Sequence, residues 1–179
     1  MKHKKMSKTD FDLTRVDAVI FDVDGVLSPS TVPMNDDGVP MRMVNIKDGY
    51  ALQLAAKRGL KIAIITGANT ESLKKRYGAL GIKDVFIGAS RKIEIMSQWL
   101  AANGVSPENT AYVGDDIPDL QCMMGVGLAV APADAAPEIK ETARYVTVAE
   151  GGYGVARELL EQILKARGQW LSDAEAFGW

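Results

Sequence analysis

The chain has 179 residues, 47% of them hydrophobic and 25% charged, with 17 glycines and 7 prolines, which suits one globular domain rather than two. A net charge of −2 exerts no long-range pull on nucleic acid or on an acidic membrane surface. The single cysteine, Cys122, and the single histidine, His3 in a polar N-terminal run, exclude an intrachain disulfide, a Ser–His–Asp triad, a His-ligated zinc site and an imidazole general base.

Residues 1–13 are basic and polar with no apolar core behind them, so they read as a flexible terminus and not a signal peptide. No stretch reaches the roughly 18 apolar residues of a membrane span, and with one cysteine a reducing compartment, the cytoplasm, is expected. Residues 16–21 (VDAVIF), 60–65 (LKIAII), 84–88, 110–113 and 126–131 are short, β-branched and mostly apolar on both faces, as in a covered parallel sheet. Between them lie helices predicted at 49–57 with Asp48 as cap, 71–79 with Thr70, 91–102 with Ser90, then 117–124 and 155–166. The alternation predicts an α/β, Rossmann-like, doubly wound parallel sheet over residues 14–166. Residues 28–46 break the rhythm. There NDDG at 35–38 signals a turn between two extended runs, and Pro33 and Pro40 keep those runs out of a sheet interior, so an inserted β-hairpin flap is expected. Met34, Met41 and Met43, with Val32 and Val39, would leave that flap apolar and exposed, which predicts oligomerisation through it. Residues 167–179 form a tail with three aromatics, too short for its own core, that docks on its own subunit or on a neighbour.

Open α/β sheets bind ligands at the carboxyl ends of their strands. Those ends here carry Asp22-Val-Asp24-Gly25, then Thr66-Gly67, then Gly88-Ala-Ser-Arg-Lys92, then Gly114-Asp115-Asp116 with Asp119 one turn on. Clustered carboxylates without imidazole or thiolate call for a hard cation such as Mg²⁺. The inventory suits phosphoryl transfer. One carboxylate attacks phosphorus to give an aspartyl-phosphate, and a second, two residues on, serves the leaving oxygen and then water. Thr66 and Lys92 supply donors for the equatorial oxygens.

DVDG, ITG, the lysine after the third strand and GDDIPD, in that order, resemble the haloacid dehalogenase superfamily of Mg²⁺-dependent phosphohydrolases. The resemblance runs from about Val16 to Leu164. It implies Asp22 as nucleophile and metal ligand, Asp24 as general acid/base offering its carbonyl to the metal, Thr66 and Lys92 as phosphoryl holders, and Asp115 as metal ligand. Asp116 and Asp119 would support the acidic cluster. Members of the superfamily usually close over substrate with an inserted cap domain. Neither insertion point here has room for one.

The capless subgroup with such a hairpin includes the phosphatases of 3-deoxy-D-manno-octulosonate 8-phosphate (KDO 8-phosphate), and the local likeness to them is closer still. Asn45-Ile46-Lys47-Asp48-Gly49-Tyr50 resembles their substrate loop, and Gly151-Gly-Tyr-Gly-Val-Ala-Arg157 their closing segment. That resemblance implies a phosphorylated sugar acid as substrate, in lipopolysaccharide precursor synthesis, and a homotetramer. Substrate-binding residues would be Asp24, Asn45, Ile46, Lys47, Asp48, Gly49, Thr66, Gly67, Arg76, Lys92 and Arg157. Arg157 also stands one turn before Glu161 and can pair with it instead. Ala68 and Gln53 replace arginines usual in that family. This keeps open a nine-carbon sugar-acid 9-phosphate as substrate, the nononate or N-acetylneuraminate. A phosphomutase and a non-catalytic oligomerisation module are the other readings.

Overall fold

The structure is a computed structural model and describes residues 8–179; His3 and the basic run around it lie outside the described residues. Six strands, β1 (Ala18–Phe21), β2 (Lys61–Ile65), β3 (Asp84–Phe86), β4 (Thr110–Val113), β5 (Leu128–Ala131) and β6 (Tyr145–Val146), form one parallel sheet. Their spatial order is β3-β2-β1-β4-β5-β6. The helices are α1 (Ile46–Lys57), α2 (Glu71–Gly78), α3 (Lys92–Asn103), α4 (Leu120–Met124), α5 (Pro137–Thr142) and α6 (Val155–Ala166). This is the expected doubly wound α/β fold.

Successive strand residues point to opposite faces, and both faces are apolar. Val19, Phe21, Ile62, Ile64, Val113 and Val130 face α1, α2 and α6. Ile20, Ala63, Ile65, Tyr112, Ala129 and Ala131 face the layer that holds Met96, Trp99, Cys122 and Ile139. On α6, Val155, Leu159, Leu160, Ile163 and Leu164 have no exposed surface. Each such side chain contributes about 1.5–3 kcal/mol of burial. The chain winds outward from β1 through β2 to β3, then returns to the other side of β1 as β4. The switch point therefore lies between β1 and β4, and sheets of this kind bind ligands above the carboxyl ends of the strands there.

Several local expectations change. Helix α1 starts at Ile46, one turn early, because Asn45 caps it by accepting from the N–H groups of Lys47 and Asp48. Asp48 is thereby freed from capping. Ser90 does not cap α3, which begins at Lys92, and Thr70 precedes α2 without a side-chain cap bond. Strand β6 and helix α5 were not foreseen, since two residues and six are too few to show a period. Phe11 and Leu13 are buried, so the packed part of the chain reaches back past residue 14. The flap makes its turn at Asn35–Gly38, with Asn35 N–H donating to Val39 O at 3.0 Å and Met41 N–H to Pro33 O at 2.7 Å. It forms one isolated antiparallel bridge, Met34 to Pro40, and no strand. Pro33 and Pro40 lack the donors that would extend the ladder. The tail docks on its own chain. Tyr50 meets Trp170 and Trp179 edge-on with ring centroids 5.9 and 6.1 Å apart, donates its hydroxyl to Ala176 O, and Arg58 pairs with Asp173 at 2.7 Å.

Asp48 ties the two helices of one layer together. Its Oδ1 accepts from the backbone N–H of Arg157, in the first turn of α6, at 2.7 Å. Its Oδ2 is buried without a donor among the described residues, beside a small cavity lined by Leu27, Asn45, Gly49, Arg76 and Tyr77. Burial pushes its carboxyl up from 3.8 to about 6, against the pull of the Arg157 hydrogen bond and charge. A carboxyl raised in the folded state costs stability as pH rises from the unfolded value through the folded one, here about 3 kcal/mol above pH 6. Asp48→Asn keeps the acceptor and removes the charge. After the cost of a buried amide donor, its Tm should exceed that of the parent by roughly 2–6 °C at pH 7.5, with the gap closing below pH 4. Melting curves across that pH range check this.

Candidate active site

The register aligns the ends of three strands. Phe21 lies beside Ile64 on one side and Val113 on the other, so Asp22, Ile65-Thr66 and Gly114-Asp115 emerge together. Asp22 N–H donates to Val113 O at 3.0 Å, and Thr66 N–H to Phe86 O at 2.9 Å, which keeps both residues on the rim. Close approach of the loops needs glycine. A Cβ on Gly25, whose φ is +81°, would stand 1.8 Å from Asp115 Oδ2, and one on Gly151 would stand 2.0 Å from Gly25 O.

Lys92 is the hub. It is buried at the start of α3 and its Nζ lies 3.0 Å from Asp22 Oδ2 and 2.8 Å from Asp119 Oδ1. Asp119 has no exposed surface; its Oδ1 also accepts from the Tyr112 hydroxyl at 2.7 Å, and its Oδ2 accepts from Asp115 N–H at 3.2 Å. Carboxylate oxygens of Asp22, Asp115 and Asp119 all lie within 4.8 Å of one another. Three carboxylates and one ammonium leave two negative charges, which fits a hard divalent cation bound through oxygen.

The electrostatics carry the same message. Burial, then the charge of Asp119, pushes the Asp22 carboxyl up to about 8 although Lys92 pulls it down. Burial, then Asp119 and Asp116, pushes Asp115 up to about 7. Burial pulls the Lys92 ammonium down, but Asp22 and Asp119 outweigh it and hold it above its ordinary range. Burial and Asp119 raise the Tyr112 hydroxyl, which stays a donor.

Asp24 stands apart from this cluster. Its side chain is half-exposed and turned to the flap, where Arg42 Nε meets Oδ1 at 2.9 Å and Nη2 meets Oδ2 at 3.0 Å. Asn45, Asp48, Gly49 and Arg76 come together around one cavity, and the Arg76 guanidinium fills the space where a Cβ on Gly49 would lie. Ile46 and Lys47 are exposed on α1, and Gly67 is exposed after β2. Arg157 goes elsewhere. Its side chain pairs with Glu161 at 2.9 Å and lies over the rings of Trp170 and Tyr50, and the contact it makes with Asp48 is a hydrogen bond from its backbone N–H.

Sequence reasoning missed Arg42 and Tyr112. Tyr112 sits in a strand and reads as core, which it also is; Arg42 sits in an aperiodic segment that gives no sign of what it touches. Asp119 was legible as the third acid of GDDIPD, but not as a partner of Lys92.

A family model of haloacid dehalogenase-like hydrolases matches residues 46–127. The 3-deoxy-D-manno-octulosonate 8-phosphate phosphatase of Escherichia coli K12 is 40% identical over 151 residues, 84% of this chain and 80% of that enzyme. The crystal structure of the Yersinia pestis phosphatase of the same name superimposes with a TM-score of 0.84 at 37% identity, covering 88% of this chain and 85% of that one. The Moraxella catarrhalis phosphatase, in complex with a magnesium ion, a phosphate ion and KDO, gives 0.83 at 29% identity, covering 88% and 91%. Strand order, the ordered acids and lysine at the strand ends, and this identity over most of both chains agree: the chain belongs to the haloacid dehalogenase-like hydrolases, in the family of the 3-deoxy-D-manno-octulosonate 8-phosphate phosphatases.

Proposed function

We propose that the chain is a phosphoric monoester hydrolase that converts KDO 8-phosphate to KDO and phosphate, in the cytoplasm, for lipopolysaccharide precursor synthesis. The observation that carries this reading is the buried Lys92 ammonium between Asp22 and Asp119, beside Asp115, at the sheet's switch point. Mg²⁺ would be held by the Asp22 and Asp115 carboxylates and the Asp24 carbonyl, with Asp119 in support, and when bound it offsets their charge and that of the phosphate. Asp22 attacks phosphorus as the bond to the sugar oxygen breaks, and that oxygen takes a proton from Asp24. Asp24 then accepts a proton from water, whose oxygen attacks the same phosphorus and releases Asp22 and inorganic phosphate. Lys92 spends two of its three N–H donors on Asp22 and Asp119, which leaves one for a phosphoryl oxygen; the Thr66 hydroxyl is a second donor there.

The sugar's carboxylate requires a cation away from the phosphate. Arg76 supports that role, because its guanidinium lies over Gly49 beside Asn45 and Asp48. Arg157, committed to Glu161 and two aromatic rings, is better read as the clamp of the C-terminal tail. The flap leaves Met34, Met41, Met43, Val44 and Ile46 exposed in one short stretch, which supports assembly through it into a homotetramer.

With Mg²⁺, phosphate release should be faster from KDO 8-phosphate than from nononate 9-phosphate or N-acetylneuraminate 9-phosphate. Chelation and Asp22→Asn should each abolish it, the latter by on the order of 10⁴-fold. Preference for a nine-carbon acid would move the substrate and keep the chemistry; turnover of none with the fold intact would favour the oligomerisation module. Arg76→Ala should raise KM for the sugar-acid phosphate roughly 10-fold or more with a smaller change in kcat, whereas Arg157→Ala should change KM less than about 3-fold and lower Tm. Light scattering should give a tetramer, and Met41→Asp with Met43→Asp should shift it to smaller species; a monomeric parent protein would refute assembly through the flap.

A further inference from the structure

The two aspartates of the DVDG motif are held in different ways. Asp22 is buried and gripped from inside the domain, by the N–H of Val23 at 2.7 Å and by Lys92 at 3.0 Å. The Asp24 side chain is 44% exposed, and among the described residues Arg42 of the flap is the donor that holds its carboxylate. The Arg42 side chain is only 12% exposed, although Met41 and Met43 on either side are exposed. Its third nitrogen, Nη1, reaches Pro40 O at 3.2 Å and the Thr70 hydroxyl at 3.5 Å. One guanidinium thus joins the flap, the catalytic loop and the residue that precedes α2.

A planar fork that meets both oxygens of a carboxylate fixes its plane as well as its position. Each oxygen keeps a second lone pair for exchange with substrate or water. We propose that Arg42 is a positioning residue for Asp24: the flap, through this fork, aims the carboxylate that serves the leaving oxygen. The flap needs no strands for this task, because the ion pair and the contact with Thr70 anchor its returning limb. The inference rests on the phosphatase reading, in which Asp24 passes its proton to the departing sugar oxygen as the P–O bond breaks.

The test compares kcat/KM for KDO 8-phosphate, a simple alkyl monophosphate without a carboxylate, and p-nitrophenyl phosphate, whose leaving group departs without a proton. Arg42→Met should lose roughly 30-fold on both alkyl substrates and less than about 3-fold on the aryl one. Asp24→Asn should show the same pattern more strongly, and the double variant should be no worse than Asp24→Asn alone. Arg42→Lys, which cannot form the fork, should recover part of the loss. Equal losses on all three substrates would make Arg42 a phosphate ligand or a plain structural anchor, and loss on KDO 8-phosphate alone would make it a carboxylate ligand. Either result, or no loss at all, overturns the proposal. Failure of the phosphatase reading is distinct, because the parent protein would then turn over none of the three.

Discussion

The ammonium of Lys92, enclosed between Asp22 and Asp119, is the interaction on which the rest of the site depends. Three carboxylates within 4.8 Å of one another repel strongly in a buried setting, and a single interior cation makes their proximity tolerable. Tyr112, from the middle strand β4, and the backbone N–H of Asp115 complete the coordination of Asp119, so the acid that holds the lysine is itself held by the sheet. Lys92 is at the first position of α3 and Asp119 just ahead of α4. The cluster therefore couples two helices of one layer to the ends of β1 and β4.

Glycines let this cluster close. Gly25 lies against the Asp115 carboxylate and Gly151 against the Gly25 carbonyl, each at a distance no side chain permits. Gly114 approaches the Asp119 side chain in the same way, with a built Cβ at 2.4 Å. The segment after β6 thus meets the β1 loop backbone to backbone, while the glycines after β1 and β4 make room for the Asp115 and Asp119 side chains. Asp24 and Arg42 stand on the side toward the flap.

The flap and the tail solve a different problem from the core. Neither forms strands, and each is held by a few side-chain contacts: Arg42 on Asp24 for the flap, Tyr50 and Arg58 with the residues they hold for the tail. The layer beneath them is pinned by Asp48, whose buried charge is costly to keep near neutral pH. Burial between α1 and α6 disfavours the charge of this carboxylate, which borders the cavity shared with Arg76. Stability conceded at such a position is a common mark of a site built for binding.

Much of this was legible in the residues themselves. The strands, the winding of the sheet, the placing of Asp22, Thr66 and Asp115 near strand ends and that of Lys92 in the segment after β3 follow from local apolar periodicity, from the alternation of strands with helices and from where each run stops. All are properties read directly along the chain. The pairing of Arg157 with Glu161 was legible too, as residues one helical turn apart. The contacts of Arg42, the seat of Arg157 over the tail's Trp170 and the place of Asp119 against Lys92 were not legible. Each joins residues more than a few turns apart through segments with no repeating pattern, so only the path of the folded chain could decide them. Sequence by itself determined which chemical groups reach the rim. Tertiary structure decided which of them touch, because a salt bridge needs both partners within about 4 Å and no local spacing rule carries that across a flap.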